Sequence, residues 1–236
     1  MRIAMWSGPR NLSTAMMYSF GARDDCAVVD EPFYAAYLAA TGLDHPMREE
    51  VLASQPTDPD DVVAALVETS NRSALSYEKH MTHHMLPGFP LDWMREVRNV
   101  FLIRHPARVI ASYAAKRENP TLDDLGFRRQ AEIYREAKSA GLEPIVIDSH
   151  DIRADPARML ARLCQAIEIG FTEDMLSWPQ GGHPSDGVWA AHWYGAVHRS
   201  IGFAGPEGDL PEIPMIMHPL MEAAMPYYET LRAEVL

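Results

Sequence analysis

Arg2-Ile-Ala-Met-Trp6, then Ser7-Gly8-Pro9-Arg10-Asn11-Leu12, then Ser13-Thr14-Ala15-Met16-Met17-Tyr18-Ser19-Phe20: these opening residues decide the fold. The first run is short and apolar and predicts a buried strand. The second breaks every period and predicts a tight loop. The third predicts a helix with Ser13 or Thr14 near its start. A helix start presents backbone N–H groups that lack intrahelical partners, and its dipole favours negative charge. Arg10 adds a fixed cation whose fork of donors suits phosphate or sulfate. Gly8, Pro9, Arg10, Asn11, Leu12, Ser13 and Thr14 thus form a candidate anion site. The plain alternative is an ordinary strand-to-helix turn with Arg10 in water. The loop is not G-x-x-x-x-G-K-[ST], because it carries one glycine and no lysine.

At 236 residues the chain is long enough for one α/β domain with a sizeable core. Residues 1–178 read as the core, and 179–236 as a Pro- and Gly-rich extension packed on it. Apolar residues make up 47% and charged residues 23%, as in ordinary globular proteins. No apolar run reaches the length of a membrane span. Arg10 and Asn11 interrupt any signal-peptide core. Cys26 falls in an expected strand and Cys164 in an expected helix. Two such cysteines make no disulfide framework, so a reducing cytoplasm is the default location. The net charge of −12 disfavours nucleic acid as a partner and makes local clusters of cations informative. Lysine occurs only at 79, 116 and 138.

Further strands are expected at 26–30, 73–77, 99–103 and 144–148. The run Asn99-Val-Phe-Leu-Ile103 is the clearest, because a parallel strand covered on both faces reads as continuously apolar. Helices are expected at 33–41, from Asp58-Pro59 through Glu68, from Pro106 through Lys116, at 122–140 up to Gly141, at 155–167 and at 171–178. Residues 42–57 read as mixed. Strands alternating with helices give a parallel sheet with right-handed crossovers, and ligands then bind at C-terminal strand ends.

Three clusters fall at such ends. Glu31 follows the second strand. Glu78-Lys79-His80-Met81-Thr82-His83-His84 follows the third and gathers groups that carry or move protons. With no nearby cysteine and no HExxH spacing, metal is the weaker reading there. A general base or an anion contact is the better one, with a His-rich surface turn as the bland alternative. Arg104 ends the fourth strand, and Ser112 lies on the following helix four residues after Arg108, on the same face. A serine among Val, Ile and Ala calls for a polar partner. Arg104 and Ser112 are therefore candidates for a second anion.

The two anion segments together resemble the sulfotransferase branch of the P-loop fold. In that family a P-[KR]-[SN]-x-[ST]-[ST] loop holds the 5′-phosphosulfate of 3′-phosphoadenosine 5′-phosphosulfate (PAPS). It matches Pro9-Arg10-Asn11-Leu12-Ser13-Thr14. A later R-x-P-x-x-x-x-x-S element holds the 3′-phosphate and matches Arg104-His105-Pro106 through Ser112. Ile147 to Trp178 also resembles the family's later strand, Asp-Pro helix and short Leu-x-Trp helix. The resemblance implies a three-layer α/β/α fold with a central parallel sheet and a helical or irregular C-terminal region. It further implies PAPS as co-substrate, no metal, and sulfuryl transfer to a small-molecule acceptor. Lys79 would contact the sulfuryl group, and His80, His83 or Glu31 would take the acceptor's proton. Three departures stand out. Arg10 replaces the familiar lysine. The K-x-H segment is matched only loosely. The C-terminal loop Ser200–Gly205 has glycines but no lysine. A non-catalytic nucleotide-binding protein and a P-loop small-molecule kinase are the rival readings.

Overall fold

The computed structural model describes residues 1–70, 73–114 and 120–236, leaving aside the side chains of 113 and 114. Lys116 lies outside the described residues. The sheet holds the parallel strands β1 (Arg2–Ser7), β2 (Cys26–Asp30), β3 (Leu75–Met81), β4 (Arg98–Ile103) and β5 (Ile145–Asp148), in the order β2-β3-β1-β4-β5. The first helices are α1 (Ser13–Gly21), α2 (Tyr34–Thr41), α3 (Arg48–Ser54), α4 (Pro59–Ser70) and α5 (Pro106–Ala114). They are followed by α6 (Leu122–Leu125), α7 (Phe127–Ser139), α8 (Ser149–Ala154), α9 (Pro156–Ala166), α10 (Ala190–Trp193) and α11 (His218–Arg232).

Strand alternation builds two cores. Ile3 and Met5 of β1 face one side, with Met16, Met17 and Phe20 of α1 and Leu160 and Leu163 of α9. Ala4 and Trp6 face the other, with Leu66 of α4, Ile133 and Ala137 of α7 and Leu231 of α11. The result is a three-layer α/β/α arrangement. Because β1 is central, the path from β1 runs out to β2 on one side, while the path from β3 crosses to β4 on the other. Such a change of direction opens a crevice at the C-terminal strand edge.

Several expectations need correction. The third strand does not stop at Tyr77 but runs to Met81, so Glu78, Lys79 and His80 are strand residues, not a loop. Long-range partners supply what the local sequence lacks: Arg2 donates to Glu78 (2.6 Å), and the β2–β3 register sets Asp30 beside Lys79. The helix expected over 122–140 is broken at Gly126, which takes φ +75° between α6 and α7. A Cβ there would lie 2.8 Å from Thr82 Oγ1 and 3.3 Å from the Gly8 Cα. A Cβ on Gly8 would in turn lie 2.4 Å from the Leu125 carbonyl oxygen. The break thus lets the α6–α7 turn press against the loop after β1. Residues 42–57 contain α3, and 171–178 holds only a short 3-10 turn, Glu173–Leu176. The C-terminal region contributes α11, whose Leu231 is buried against the second face and whose Ala224 packs in a smaller cluster with Val109, Ile110, Leu125 and Phe127. Val235 then bridges Val146 in parallel, and Leu236 N–H donates to the Val146 carbonyl (2.9 Å), which covers the outer edge of β5.

Gly126→Ala should destabilise the protein by ~2 kcal/mol or more, since the left-handed backbone costs an L-residue ~1–2 kcal/mol before any clash. Gly141→Ala, also at positive φ but with nothing within 4 Å of the new Cβ, should cost less. Urea denaturation of both variants checks this, and equal losses would mean that the close approach is unimportant.

Candidate functional site

The loop after β1 is held in an unusual shape. Arg10 (φ 61°) and Leu12 (φ 70°) both adopt left-handed backbone, which costs non-glycine residues energy and tends to mark sites where function requires it. Asn11 Nδ2 donates to the Leu102 carbonyl (3.0 Å), tying the loop to the end of β4. Gln130 of α7 donates to the same carbonyl (2.8 Å) and to that of Trp6 (3.1 Å). No side-chain hydrogen bond caps α1, so its first N–H groups are left without a side-chain acceptor from the cap residue.

Arg10 Nε donates to Ser112 Oγ (3.1 Å), and Arg104 donates to the Arg10 carbonyl (2.7 Å). The loop and the Arg104–Ser112 element are therefore one connected surface. Burial, then the Arg104 charge, lowers the Arg10 pKa, and an anion between the two guanidinium groups would relieve that repulsion. Arg104, Arg108 of α5 and Arg153 of α8 converge on one carboxylate, Glu207. Burial alone would raise the Glu207 pKa, but Arg104, Arg108 and Arg153 outweigh it and hold the group below the ordinary carboxylate value.

A second group fills the ends of β2 and β3. Lys79 is only 1% exposed. Its ammonium donates to Asp30 Oδ1 (2.9 Å), Glu31 Oε1 (2.6 Å) and the Tyr194 hydroxyl (2.5 Å), which uses all three of its protons. Tyr194 also accepts from Trp189 Nε1 (3.0 Å) and donates to the Asp30 carboxylate (2.8 Å). Burial works to lower the Lys79 pKa, yet Asp30 and Glu31 together raise it, so the group stays a cation. Burial pushes the Glu31 carboxyl above its ordinary value, with Lys79 only partly opposing. Glu31 Oε2 lies 4.0 Å from His84 Nδ1. His84 stacks on Tyr34 (4.4 Å between ring centroids) and meets the half-buried His83 edge-on (4.3 Å). Burial, followed by the neighbouring His83, holds His84 neutral.

Parts of both groups open onto one cavity of about 410 Å³, which Asp30, Arg108 and Glu207 do not line. Pro9, Arg10, Asn11, Leu12, Ser13, Thr14, Glu31, Lys79, His83, Arg104 and Ser112 all line it. Two expected residues do not. Gly8 supports the loop from behind, against Leu125. His80 points to the opposite face of the sheet, because it alternates with Lys79 along β3. There it stacks on Trp6 (4.5 Å) and pairs with Glu78 (3.2 Å). Sequence reasoning missed Asp30, Arg153, Tyr194 and Glu207. Asp30 had a readable signal, a carboxylate closing an otherwise apolar strand. Nothing in the local sequence ties Glu207 to arginines 54 to 103 residues away. Among the described residues no three His, Cys, Asp or Glu side chains gather as a metal site, and no helix is long and apolar enough to cross a membrane.

Two curated proteins of Arabidopsis thaliana, branched-chain-amino-acid aminotransferase-like proteins 1 and 2, are 39% and 36% identical to this chain over 233 residues. That is 99% of this chain but 42% of each relative, so the chain spans less than half their length. Two solved structures share the fold at 17% identity. One is the sulfotransferase domain from the Synechococcus PCC 7002 olefin synthase (TM-score 0.56, covering 98% of this chain and 94% of that one). The other is the sulfotransferase domain from the curacin biosynthetic pathway (TM-score 0.55, covering 99% and 91%). A family model described as a sulfotransferase domain matches residues 1–235, the extent of the fold and cavity above, and by that match the chain belongs to the sulfotransferase-domain family.

Proposed function

We propose that this chain transfers a sulfuryl group from PAPS to a hydroxyl or amine of a small acceptor. One observation carries the reading: two anion-binding elements, joined by the Arg10–Ser112 and Arg104–Arg10 contacts, open into the same cavity as Glu31 and His83. PAPS, when bound, supplies an activated sulfuryl group on a phosphate leaving group. Three arginines already gathered around a carboxylate support the fit of a second anionic group near Arg104 and Ser112. Arg10 and the N–H groups of α1 would hold the leaving phosphate and stabilise the charge that develops on it. Positioning, with no metal, is the main task in such in-line transfers. Both cysteines, Cys26 and Cys164, are free thiols, which suits a reducing cytoplasm.

Glu31 is the better proton acceptor. It lies on the cavity wall, and a raised pKa brings a carboxylate closer to the useful range for a general base. Lys79 has every donor engaged, which supports positioning of Glu31 over direct contact with the sulfuryl group. His83 lines the same wall and would orient the acceptor. His80 has no access from its side of the sheet and takes no part.

The protein should bind 3′-phosphoadenosine 5′-phosphate (PAP) at least tenfold more tightly than 5′-AMP, because one charge-assisted contact contributes ~1.5–3 kcal/mol. Calorimetric titration reads this directly, and equal affinities would remove the 3′-phosphate assignment. Glu31→Gln should lower turnover ~10²–10⁴-fold while PAP affinity stays within about twofold. In the wild type, turnover should rise with pH through a pKa above the ordinary ~4.3 of glutamate. Retained turnover in the variant would dismiss Glu31 as the base. Lys79→Met should destabilise by ~3–5 kcal/mol at pH 7, since it leaves two buried acids without their cation. The loss should shrink as the pH falls and Glu31, whose pKa burial already raises, takes up a proton, which denaturation at pH 5 and pH 7 would reveal.

A further inference from the structure

Residues 204–209, Ala-Gly-Pro-Glu-Gly-Asp, form a strap across the arginine cluster. All are exposed except Glu207, whose side chain is 1% exposed. The strap is held almost wholly by guanidinium groups. Arg153 Nε donates to the Gly205 carbonyl (2.9 Å), and its NH1 to Glu207 Oε1 (2.9 Å). Arg108 donates to the Gly208 carbonyl and, at 3.3 Å, to that of Asp209, while its Nε lies 3.0 Å from Glu207 Oε2. Arg104 donates to Glu207 Oε1 from the end of β4.

The charges are unequal. Three guanidinium groups surround one carboxylate, and the buried Arg104 Nε has no acceptor among the described residues. A phosphate dianion brings twice the charge and more acceptor oxygens than a carboxylate, so it matches this set better. Glu207 also reaches the cluster from a segment that buries no apolar residue and contains two glycines, so little else holds it in place.

We propose that Glu207 is a built-in competitor at this site: its carboxylate occupies the place of the nucleotide's second phosphate, and an anion that takes that place must expel it. This rests on the nucleotide reading above. The consequence is that Glu207 weakens binding of the doubly phosphorylated nucleotide alone. A nucleotide with one phosphate leaves Glu207 seated and gains nothing from the cluster. A nucleotide with two displaces it, and its apparent affinity is reduced by the cost of opening the strap.

Two measurements test this. PAP and 5′-AMP are titrated into the wild type, Glu207→Gln and Glu207→Ala, and hydrogen exchange of residues 204–209 is followed in the wild type with each nucleotide. Glu207→Gln should bind PAP at least tenfold more tightly than the wild type, with 5′-AMP affinity changed less than twofold. Saturating PAP, but not 5′-AMP, should speed exchange in the strap. PAP affinity that is equal or weaker in both variants overturns the proposal, as does unchanged strap exchange at saturating PAP. A third arm separates this failure from failure of the donor reading. If PAP binds no form of the protein, thermal stability is compared with and without inorganic sulfate. Sulfate that stabilises Glu207→Gln but not the wild type keeps the role of Glu207 and removes PAP as the ligand. Sulfate that fails to distinguish them overturns the proposal. Should neither variant fold, strap exchange in the wild type under PAP or high sulfate decides alone, and no acceleration counts against it.

Discussion

A lysine with two carboxyl groups, almost wholly out of water, sets the terms for this molecule. Lys79, Asp30 and Glu31 lie at adjoining strand ends, and the charges are too costly to bury without complete hydrogen bonding. The sheet supplies part of it through register. The rest comes from far along the chain: Tyr194 bridges all three groups, Trp189 donates to Tyr194, and the Gly187 N–H donates to Asp30 Oδ2 (3.1 Å). The segment after residue 178 is therefore part of the site's electrostatics. Without it, three charged groups at the head of the cavity would be left partly unsatisfied.

The opposite face of β3 repeats the logic in a different form. Glu78 is fully buried but receives Arg2 through two donors and pairs with His80, all packed under Trp6 and Trp93. Adjacent residues of one strand thus feed two separate polar networks, one beside the cavity and one sealed on the other face. The first brings Glu31, Lys79 and Tyr194 to the cavity wall. The second fixes β3 against β1 and keeps its register.

Much of this was legible. β1, β2, β4 and β5 are short continuous apolar runs, the local signature of strands covered on both faces. The loop after β1 and the Arg104–Ser112 element announced themselves by residue type and placement. What was hidden is instructive. The polar half of β3 looks like loop because its compensation, from Arg2, Asp30 and Tyr194, comes from elsewhere in the chain. The break at Gly126 reflects a contact with Gly8 that no helical periodicity contains. α11 had a usable pattern, with Leu220, Ala224, Tyr228 and Leu231 at helical spacing, which Pro226 and the surrounding polar residues obscured. Glu207 offered no signal, since a lone glutamate in a Gly- and Pro-containing stretch gains its meaning only when three distant arginines meet it.

The last residues bear on a different matter, the fate of an unpaired sheet margin. An outer parallel strand presents a row of free N–H and C=O groups to any passing extended segment. Here Val235 and Leu236 take up the Val146 position along β5, and α11 holds them there by packing Leu231 into the core behind them. Residues 235 and 236 thus cover the Val146 position of that margin. Another strand could pair with β5 at Val146 only after residues 235 and 236 had moved off it, which guards the middle of a Val- and Ile-rich edge against templated pairing.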